Sequence, residues 1–344
     1  MFEIIRAALL GAFLGVFHVN FLGTIVHELG HLVFGKLTGY GFVSFRVASF
    51  VWYKEEGKIR FARSKSNVSG QCLMEPNSNV ENFKFVWYNL GGGVFNLLFA
   101  AMFLAVYIAA SASAYNGLNF PMSFFLGVGI FANMFLAFIS LAPIILAGTP
   151  VDGRNVLTAL KSKDAKRGLY TMLYVNSEMA KGKRYRDFDS ELFAVDSNAD
   201  LNNYFVAFLV MLMAEWFIDV GEVKQGFLTF SRLNLSKLPT AYSNGVKLFQ
   251  LHYHTIHQPA MPKAHAIYND KKIKAIFNTS NIIEYAGIIA TYEYFGRGDK
   301  DKALQVLERA NKNLHNHPNM GERIILKKEL EIAAARIEEA ENKE

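Results

Sequence analysis

The chain has 344 residues, of which 51% are hydrophobic and 19% are charged, and its formal net charge is +6. A soluble protein of this length is normally more polar, so the composition favours residence in a membrane. The single cysteine, Cys72, excludes an internal disulfide framework and a cysteine-rich zinc site. The positive charge comes with no nucleic-acid-binding motif, so no nucleic-acid partner is expected.

Three long apolar stretches predict helices that span a membrane. A helix rises about 1.5 Å per residue, so roughly 20 uncharged residues cross the hydrocarbon core of a bilayer. We predict spans near residues 5–37, 86–111 and 121–147. The first is too long for a perpendicular helix and must tilt, kink or project from the bilayer. A cleavable signal peptide is the alternative for this first stretch, but the apolar run is longer than a signal core.

Lysine and arginine are unevenly distributed around these stretches. The loop 41–85 and the segment 154–184 are rich in both, whereas the connection 112–119 has no charged residue. With three spans the two basic regions share one side of the membrane, which the positive-inside rule assigns to the cytoplasm. We therefore expect a multi-pass membrane protein in contact with the lipid bilayer, with the connection 112–119 outside.

The first basic loop predicts a small cytoplasmic β-hairpin region, spanning residues 41–75. Residues 42–53 are rich in β-branched and aromatic side chains, E-E-G at residues 55–57 favours a turn, and residues 58–63 alternate with a period of two. An extended substrate could add a strand to such a region, because main-chain pairing holds a peptide without demanding a particular sequence.

Beyond the third span the chain becomes polar and rich in helix-forming residues. Residues 161–200 are predicted to form a basic linker, and residues 201–344 a cytoplasmic helical domain. Small residues recur in this domain at intervals of 38 and 39, as in the helical hairpins of tetratricopeptide repeats; they are Gly226, Ala264 and Ala303. Such repeats suit a protein partner. The apolar stretch 204–220 is interpreted as a buried helix, with a fourth span as the alternative.

Residues 27–31 read H-E-L-G-H, which is the H-E-x-x-H pattern. On a helix His27 and His31 are about 40° apart in azimuth and one turn apart in height, so both imidazoles can bind one zinc ion. Glu28 then lies beside the metal, where it can act as general base toward water. The pattern alone is moderately specific, but such groups are costly at membrane depth without a function. His18 would face the opposite side of the same helix.

Three motifs, in the order in which they occur along the chain, resemble those of the site-2 protease family of intramembrane zinc metallopeptidases. In that family H-E-x-x-H lies on the first core span, a second span carries a glycine-rich motif ending in Asn, and a third motif ends in Asp-Gly. Residues 91–96 read G-G-G-V-F-N, with glycine where proline is more usual before V-F-N, and residues 149–153 read T-P-V-D-G. Ser140 stands where the family often has Asn. The resemblance covers residues 5–160 and implies that Asp152 is the third zinc ligand.

Asn96 and Asp152 also have interpretations that need no metal. Asn96 is a polar side chain in an apolar span, so it either hydrogen-bonds another helix or holds the substrate and polarises its carbonyl. Asp152 lies in a helix break between Pro150 and Gly153, where it would otherwise be an ordinary turn residue at the membrane interface. The glycines of the second motif could serve close helix packing alone.

The predicted fold class is therefore mainly α. A polytopic membrane core of about three spans with the β-hairpin region occupies residues 1–160, and the soluble helical repeats follow it. The predicted function is zinc-dependent proteolysis of membrane-embedded or membrane-associated substrates, with one Zn²⁺ per chain, in a bacterial cell membrane. The first alternative is an inactive relative that binds partners through its repeats. The second is a transporter or channel in which Glu28 and the histidines form a proton path.

Overall fold

A computed structural model describes residues 2–63, 69–112, 120–257, 259–278 and 283–342. The chain is mainly helical, with a small antiparallel sheet, as the sequence predicts. It divides into two compact units. The first comprises Met1–Tyr53, Asn67–Leu146 and Pro150–Leu157, and the second comprises Lys54–Ser66, Ala147–Thr149 and Thr158–Glu344.

The N-terminal apolar stretch is helical from residue 2 to residue 37. Helix α1 spans Phe2–Phe17 and α2 spans Gly23–Leu37, and a π-helical turn, His18–Leu22, separates them. In this turn the backbone N–H of Gly23 donates to the carbonyl of His18. The wider turn leaves α-helices of 16 and 15 residues, so neither alone reaches the length of a membrane span. The first span stays a prediction.

The β-region forms a four-stranded sheet, which is larger than the predicted hairpin. Its strands, in the spatial order β3-β2-β1-β4, are β1 Gly41–Val47, β2 Phe50–Glu55, β3 Lys58–Arg63 and β4 Gly70–Glu75. β1 pairs antiparallel with both β2 and β4. The predicted strand 42–53 is broken at Ala48, whose φ of 50° lies in the left-handed region. No glycine marks this turn in the sequence, so the hairpin prediction missed it.

Two of the described helices are long and apolar enough to cross a membrane. They are α3, Phe85–Ala112, and α4, Phe120–Leu141, and they correspond to the second and third predicted spans. Many of their large apolar side chains are exposed, among them Leu98, Ile108 and Phe138. Exposed apolar faces of this kind suit contact with lipid.

Helix α4 ends at Leu141, earlier than the predicted boundary at residue 147. Pro143 follows, and proline lacks a backbone N–H and disfavours a helical conformation of the residue before it. A two-stranded ribbon comes next, with β5 at Ile145–Leu146 and β6 at Thr149–Pro150. Helix α5, Asp152–Ala159, begins directly after the ribbon.

The second unit contains nine of the described α-helices. They are α6 Lys163–Ala180, α7 Tyr204–Val220, α8 Val223–Phe230, α9 Thr240–His252, α10 Met261–Tyr268, α11 Lys271–Asn278, α12 Ala286–Arg297, α13 Lys300–Asn313 and α14 Met320–Glu341. Short 3-10 turns lie at Tyr185–Asp187, Ser190–Phe193, Ile283–Tyr285 and Leu314–Asn316, and a π-helical turn lies at Tyr253–His257.

The segment predicted as a basic linker, 161–200, is folded into this unit. Helix α6 buries an apolar face that includes Leu169, Leu173 and Met179. Of its two lysines, Lys163 is exposed and Lys166 is half-buried. The linker prediction was wrong because a count of basic residues does not reveal the buried face of an amphipathic helix.

Helix α7 accounts for the stretch 204–220 that was ambiguous in the sequence. Its 17 residues are largely buried inside the second unit, and it packs against α6 and α8. A buried helix is apolar on most sides, so the composition of this stretch is explained by the core of the second unit.

The three recurring small residues lie at close contacts between helices. α7 packs against α8, α9 against α10 and α12 against α13. Ala264 and Ala303 are fully buried, and a Cβ at Gly226 would lie 2.7 Å from Ile218 Cγ1. Small residues at the contacts of paired helices are what a tetratricopeptide-like domain requires. The repeat architecture itself stays a prediction.

Candidate metal centre

Helix α2 brings together the two histidines of the H-E-x-x-H motif. His27 and His31 are one helical turn apart, and their rings meet edge to face with centroids 4.8 Å apart. Their Nε2 atoms are 3.1 Å apart. The same nitrogen of each ring is therefore directed at one point, which is the geometry that the four-residue spacing predicts.

Asp152 faces this pair from the first turn of α5. Its Oδ2 atom lies 3.1 Å from His27 Nε2 and 3.5 Å from His31 Nε2. The Ser140 hydroxyl donates to the same oxygen over 2.7 Å. Burial raises the pKa of Asp152, but the charge that His31 can carry outweighs this effect and holds the pKa well below its ordinary value. The carboxyl group is therefore ionised, as a metal ligand must be.

The three facing atoms have the spacing of a zinc ligand set. Zinc bonds of about 2.0–2.1 Å to nitrogen and oxygen, at tetrahedral angles, place neighbouring ligand atoms about 3.3 Å apart. The separations among the two Nε2 atoms and Oδ2 are 3.1, 3.1 and 3.5 Å. The group of His27, His31 and Asp152 could therefore hold a metal ion. Three protein ligands in a tetrahedral set keep a fourth position for water or substrate.

Each histidine is oriented through its other ring nitrogen. His31 Nδ1 lies 2.8 Å from the backbone oxygen of Tyr88, which can only accept, so Nδ1–H donates. His27 Nδ1 lies 3.0 Å from Asn96 Oδ1. With both ring protons on Nδ1, the Nε2 lone pairs face the Asp152 carboxylate. Three electron-rich atoms this close need a cation between them, either a proton or a metal ion.

The glycines of the second motif let α3 lie close to α2 and to the site. A Cβ at Gly91 would lie 2.8 Å from the backbone oxygen of Gly30, and a Cβ at Gly92 would lie 2.4 Å from the His27 ring. Gly153 has a similar role, because a Cβ there would lie 2.1 Å from the backbone oxygen of Leu141. The glycine run therefore makes room for a metal ligand as well as for helix packing.

We expect Gly92→Ala to weaken zinc binding about 10- to 100-fold, the usual effect of misorienting a metal ligand. The added methyl group would overlap the His27 ring, which must then move. Gly127→Ala on α4 is the matched control, since a Cβ at that position meets nothing within 4 Å. Competition with a chromogenic chelator measures both affinities. Equal zinc affinity in the two variants would contradict this account of Gly92.

Glu28 is buried between α2 and the edge strand β4. Its side chain is 6% exposed and forms a hydrogen bond with the backbone of Cys72. Gly70 lies so close that a Cβ there would be 2.5 Å from Glu28 Oε1. The carboxyl group also interacts electrostatically with the two histidines and Asp152. It is thus held beside the ligand set, where a general base is needed.

Asn96 has hydrogen-bond partners on other helices, which is one of its two predicted interpretations. Its Oδ1 faces His27, and its Nδ2 donates to the backbone oxygen of Gly23 over 3.2 Å and to Asn133 Oδ1 over 2.8 Å. The side chain is 0% exposed. Both amide hydrogens already have acceptors within the protein, and the oxyanion role stays a prediction. The alternative, a hydrogen bond between helices, describes this side chain.

Sequence reasoning missed Ser140 as a partner of Asp152 and Asn133 as a partner of Asn96. Asn133 carried the same signal as Asn96, because it is a polar residue within an apolar span.

Cys72 lies on β4 close to Glu28, but burial, together with the Glu28 charge, raises the pKa of its thiol. A buried thiol of this kind is unreactive.

Comparison of the chain with protein families, with curated proteins and with solved structures finds no match. A functional interpretation therefore depends on the geometry of the site and on its surroundings. The surroundings are a unit with two helices that are long and apolar enough to cross a membrane.

Proposed function

We propose that this chain is an intramembrane zinc endopeptidase. The observation that carries the proposal is the convergence of His27, His31 and Asp152 on one point beside the buried Glu28. Zinc held by these residues would act as a Lewis acid on water and on a peptide carbonyl. The three-motif resemblance to site-2 proteases supports the same function.

The other parts of the proposed reaction are assigned to side chains around the metal site. Glu28 accepts the proton of the attacking water and passes it to the leaving amine, which is the role of a general base that becomes a general acid. His27 and His31 are held by Asn96 and by the backbone of Tyr88, so their orientation need not change during a reaction. Ser140 holds the Asp152 carboxylate.

Strand β4 is the part of the sheet that suits an extended substrate. It is an edge strand, and its residues Gly70 and Cys72 lie against Glu28. A helical substrate must unwind before cleavage, because its backbone amides are bonded within the helix. A peptide that pairs with the Gly70 end of β4 would be extended and next to the base.

A comparison in cells tests the proposed function. Membrane peptides are compared by mass spectrometry between cells that carry the wild-type protein and cells that carry Glu28→Gln. We expect intact substrates to accumulate, and their fragments to be lost, only with Glu28→Gln. Identical peptide sets would contradict a protease and would favour an inactive relative that binds partners. A pH-dependent ion flux without peptide change would favour a proton path.

The proposed membrane orientation has a separate test. In a Cys72→Ala background, Asn116→Cys should react with an impermeant thiol reagent from outside the cell, because residue 116 lies between the two candidate spans in a connection without charge. Lys300→Cys, at an exposed position of α13, should react only after the membrane is opened. Outside labelling of Lys300→Cys would contradict a cytoplasmic second unit.

A further inference from the structure

Three polar side chains lie buried among the apolar helices of the first unit. His18 belongs to the π-helical turn, Asn96 to α3 and Asn133 to α4, and they are 2%, 0% and 0% exposed. Buried polar groups are costly unless they are hydrogen-bonded, and a bilayer offers no water to satisfy them. Their partners therefore indicate their role.

The three side chains form one chain of hydrogen bonds that ends at His27. Asn133 Nδ2 lies 2.8 Å from His18 Nε2, and Asn96 Nδ2 lies 2.8 Å from Asn133 Oδ1. Asn96 Oδ1 then lies 3.0 Å from His27 Nδ1. The chain connects α4 and the π-helical turn, through α3, to one of the candidate zinc ligands.

Two backbone carbonyl groups fix the direction of this chain. Asn96 Nδ2 also donates to Gly23 O over 3.2 Å, and Asn133 Nδ2 also donates to Gly129 O over 2.9 Å. A carbonyl oxygen only accepts, so each one must face an amide NH₂ group. Asn96 Oδ1 is therefore directed at His27, and Asn133 Oδ1 at Asn96. The opposite orientation of either amide would set acceptor against acceptor.

This direction determines where the ring protons lie. Asn96 Oδ1 can only accept, so His27 carries its proton on Nδ1 and presents the Nε2 lone pair to Asp152. At the other end His18 Nε2 accepts from Asn133, so the proton of the neutral His18 ring lies on Nδ1. Every amide hydrogen of the two asparagines has an acceptor.

We infer that His18, Asn133 and Asn96 are positioning residues that fix the tautomer and the orientation of His27 as a metal ligand. This inference rests on the proposed zinc site. Partners that hold the second nitrogen of a ligating histidine typically control metal affinity and activity. Here the partner Asn96 is itself held by Asn133, and Asn133 by His18.

The π-helical turn makes this arrangement possible. At about 100° per residue, the nine positions from His18 to His27 would place the two rings on opposite faces of one α-helix. Bonds to the fifth residue reduce the rotation to about 80° per residue, which shifts His18 by about a quarter turn. Its ring then reaches Asn133 and lies close to Phe103 and Phe125.

Zinc affinity of the purified full-length protein tests the inference, with the visible spectrum of the Co²⁺-substituted protein as second readout. Asn96→Ala removes the bond to His27 and should weaken zinc binding about 10- to 100-fold. Asn133→Ala should weaken zinc binding about 10-fold and His18→Leu roughly 3- to 10-fold. The expected effect decreases because Asn133 is separated from His27 by one more hydrogen bond than Asn96 is, and His18 by two more. All three should alter the Co²⁺ spectrum.

Asn89→Ala is the matched control. Asn89 is also a buried asparagine of α3, but its side chain donates to the backbone oxygen of Phe85 in its own helix. This variant should bind zinc as tightly as the wild type does. His18→Gln should restore the affinity lost in His18→Leu, because the Gln side-chain oxygen can accept from Asn133.

Coupling between the variants separates positioning from general packing. If Asn133 acts only through Asn96, then adding Asn133→Ala to Asn96→Ala should cause no further loss of zinc affinity. Independent packing defects would instead multiply their effects. Asn133→Leu keeps the side-chain volume and takes the place of Asn133→Ala if that variant does not fold.

The possible outcomes distinguish this inference from the proposed function. A wild-type protein that binds no zinc would contradict both. A wild-type protein that binds zinc, with Asn133→Ala and His18→Leu matching Asn89→Ala in affinity and Co²⁺ spectrum, would overturn the positioning role alone. Weaker binding in those two variants, rescue by His18→Gln and coupling to Asn96→Ala would support it.

Discussion

Glu28→Gln should abolish nearly all peptide hydrolysis while leaving the zinc content unchanged. The amide has the size of the carboxyl group and keeps an oxygen that can accept from the backbone of Cys72, but it cannot take a proton from water. Loss of a general base typically lowers turnover about 10²- to 10⁴-fold. Turnover of a membrane peptide and zinc content are measured on the same preparation.

Glu56→Gln is the control for this substitution. Glu56 is exposed at the turn between β2 and β3, so its loss should change neither turnover nor zinc content. Full activity of Glu28→Gln would exclude the proposed mechanism. Loss of zinc together with activity would mean that Glu28 supports the metal site and is not simply the base.

Asp152→Ala should weaken zinc binding about 10²- to 10³-fold. Four-ligand zinc sites bind with about 10–16 kcal/mol, so one ligand contributes roughly 3–4 kcal/mol, and each 1.4 kcal/mol is about tenfold in affinity. The zinc affinity of Asp152→Asn should lie between those of Asp152→Ala and the wild type, because the amide oxygen can still bind zinc and can still accept a hydrogen bond from Ser140.

Asp301→Ala is the control for this loss of charge, since Asp301 is exposed on α13 and should leave zinc affinity unchanged. Chelator competition gives the affinities of all four proteins. Unchanged zinc affinity in Asp152→Ala would contradict the assignment of Asp152 as the third zinc ligand.

The histidine pair was predictable because its geometry is local. Two side chains four residues apart on a helix lie on the same face. The spacing of His27 and His31 therefore predicted that their rings would be close, and their Nε2 atoms are 3.1 Å apart. Asp152 is more than 120 residues away in the chain, and no periodicity connects it to α2. Only the resemblance of three ordered motifs suggested that it is a ligand.

The hydrogen-bond partners of Asn96 and Ser140 could not be predicted from the sequence. Each is decided by which side chains of other helices face it, and that depends on tertiary packing. The side chain of Asn96 forms hydrogen bonds with His27, Gly23 and Asn133. The π-helical turn was equally hidden, since it adds a residue to a turn without any proline or unusual residue to signal it.

Two features of the fold were missed for different physical reasons. The turn at Ala48 uses a left-handed conformation without a glycine, so the stretch 42–53 resembles one strand. The sequence around helix α6 is rich in lysine and arginine and therefore predicts a linker, although buried positions one helical turn apart, such as Leu169 and Leu173, belong to the core of the second unit. The basic residues of this segment made its amphipathic helical pattern hard to recognise in the sequence.

The central claim is that zinc at His27, His31 and Asp152 supports peptide hydrolysis. Its most direct test measures cleavage of an unstructured membrane peptide by the purified protein in vesicles, first after complete removal of metal and then after return of one equivalent of zinc per chain. We expect no cleavage without metal and recovery of cleavage with zinc. Cleavage that persists without metal, or no cleavage by protein that holds one zinc per chain, would contradict the claim.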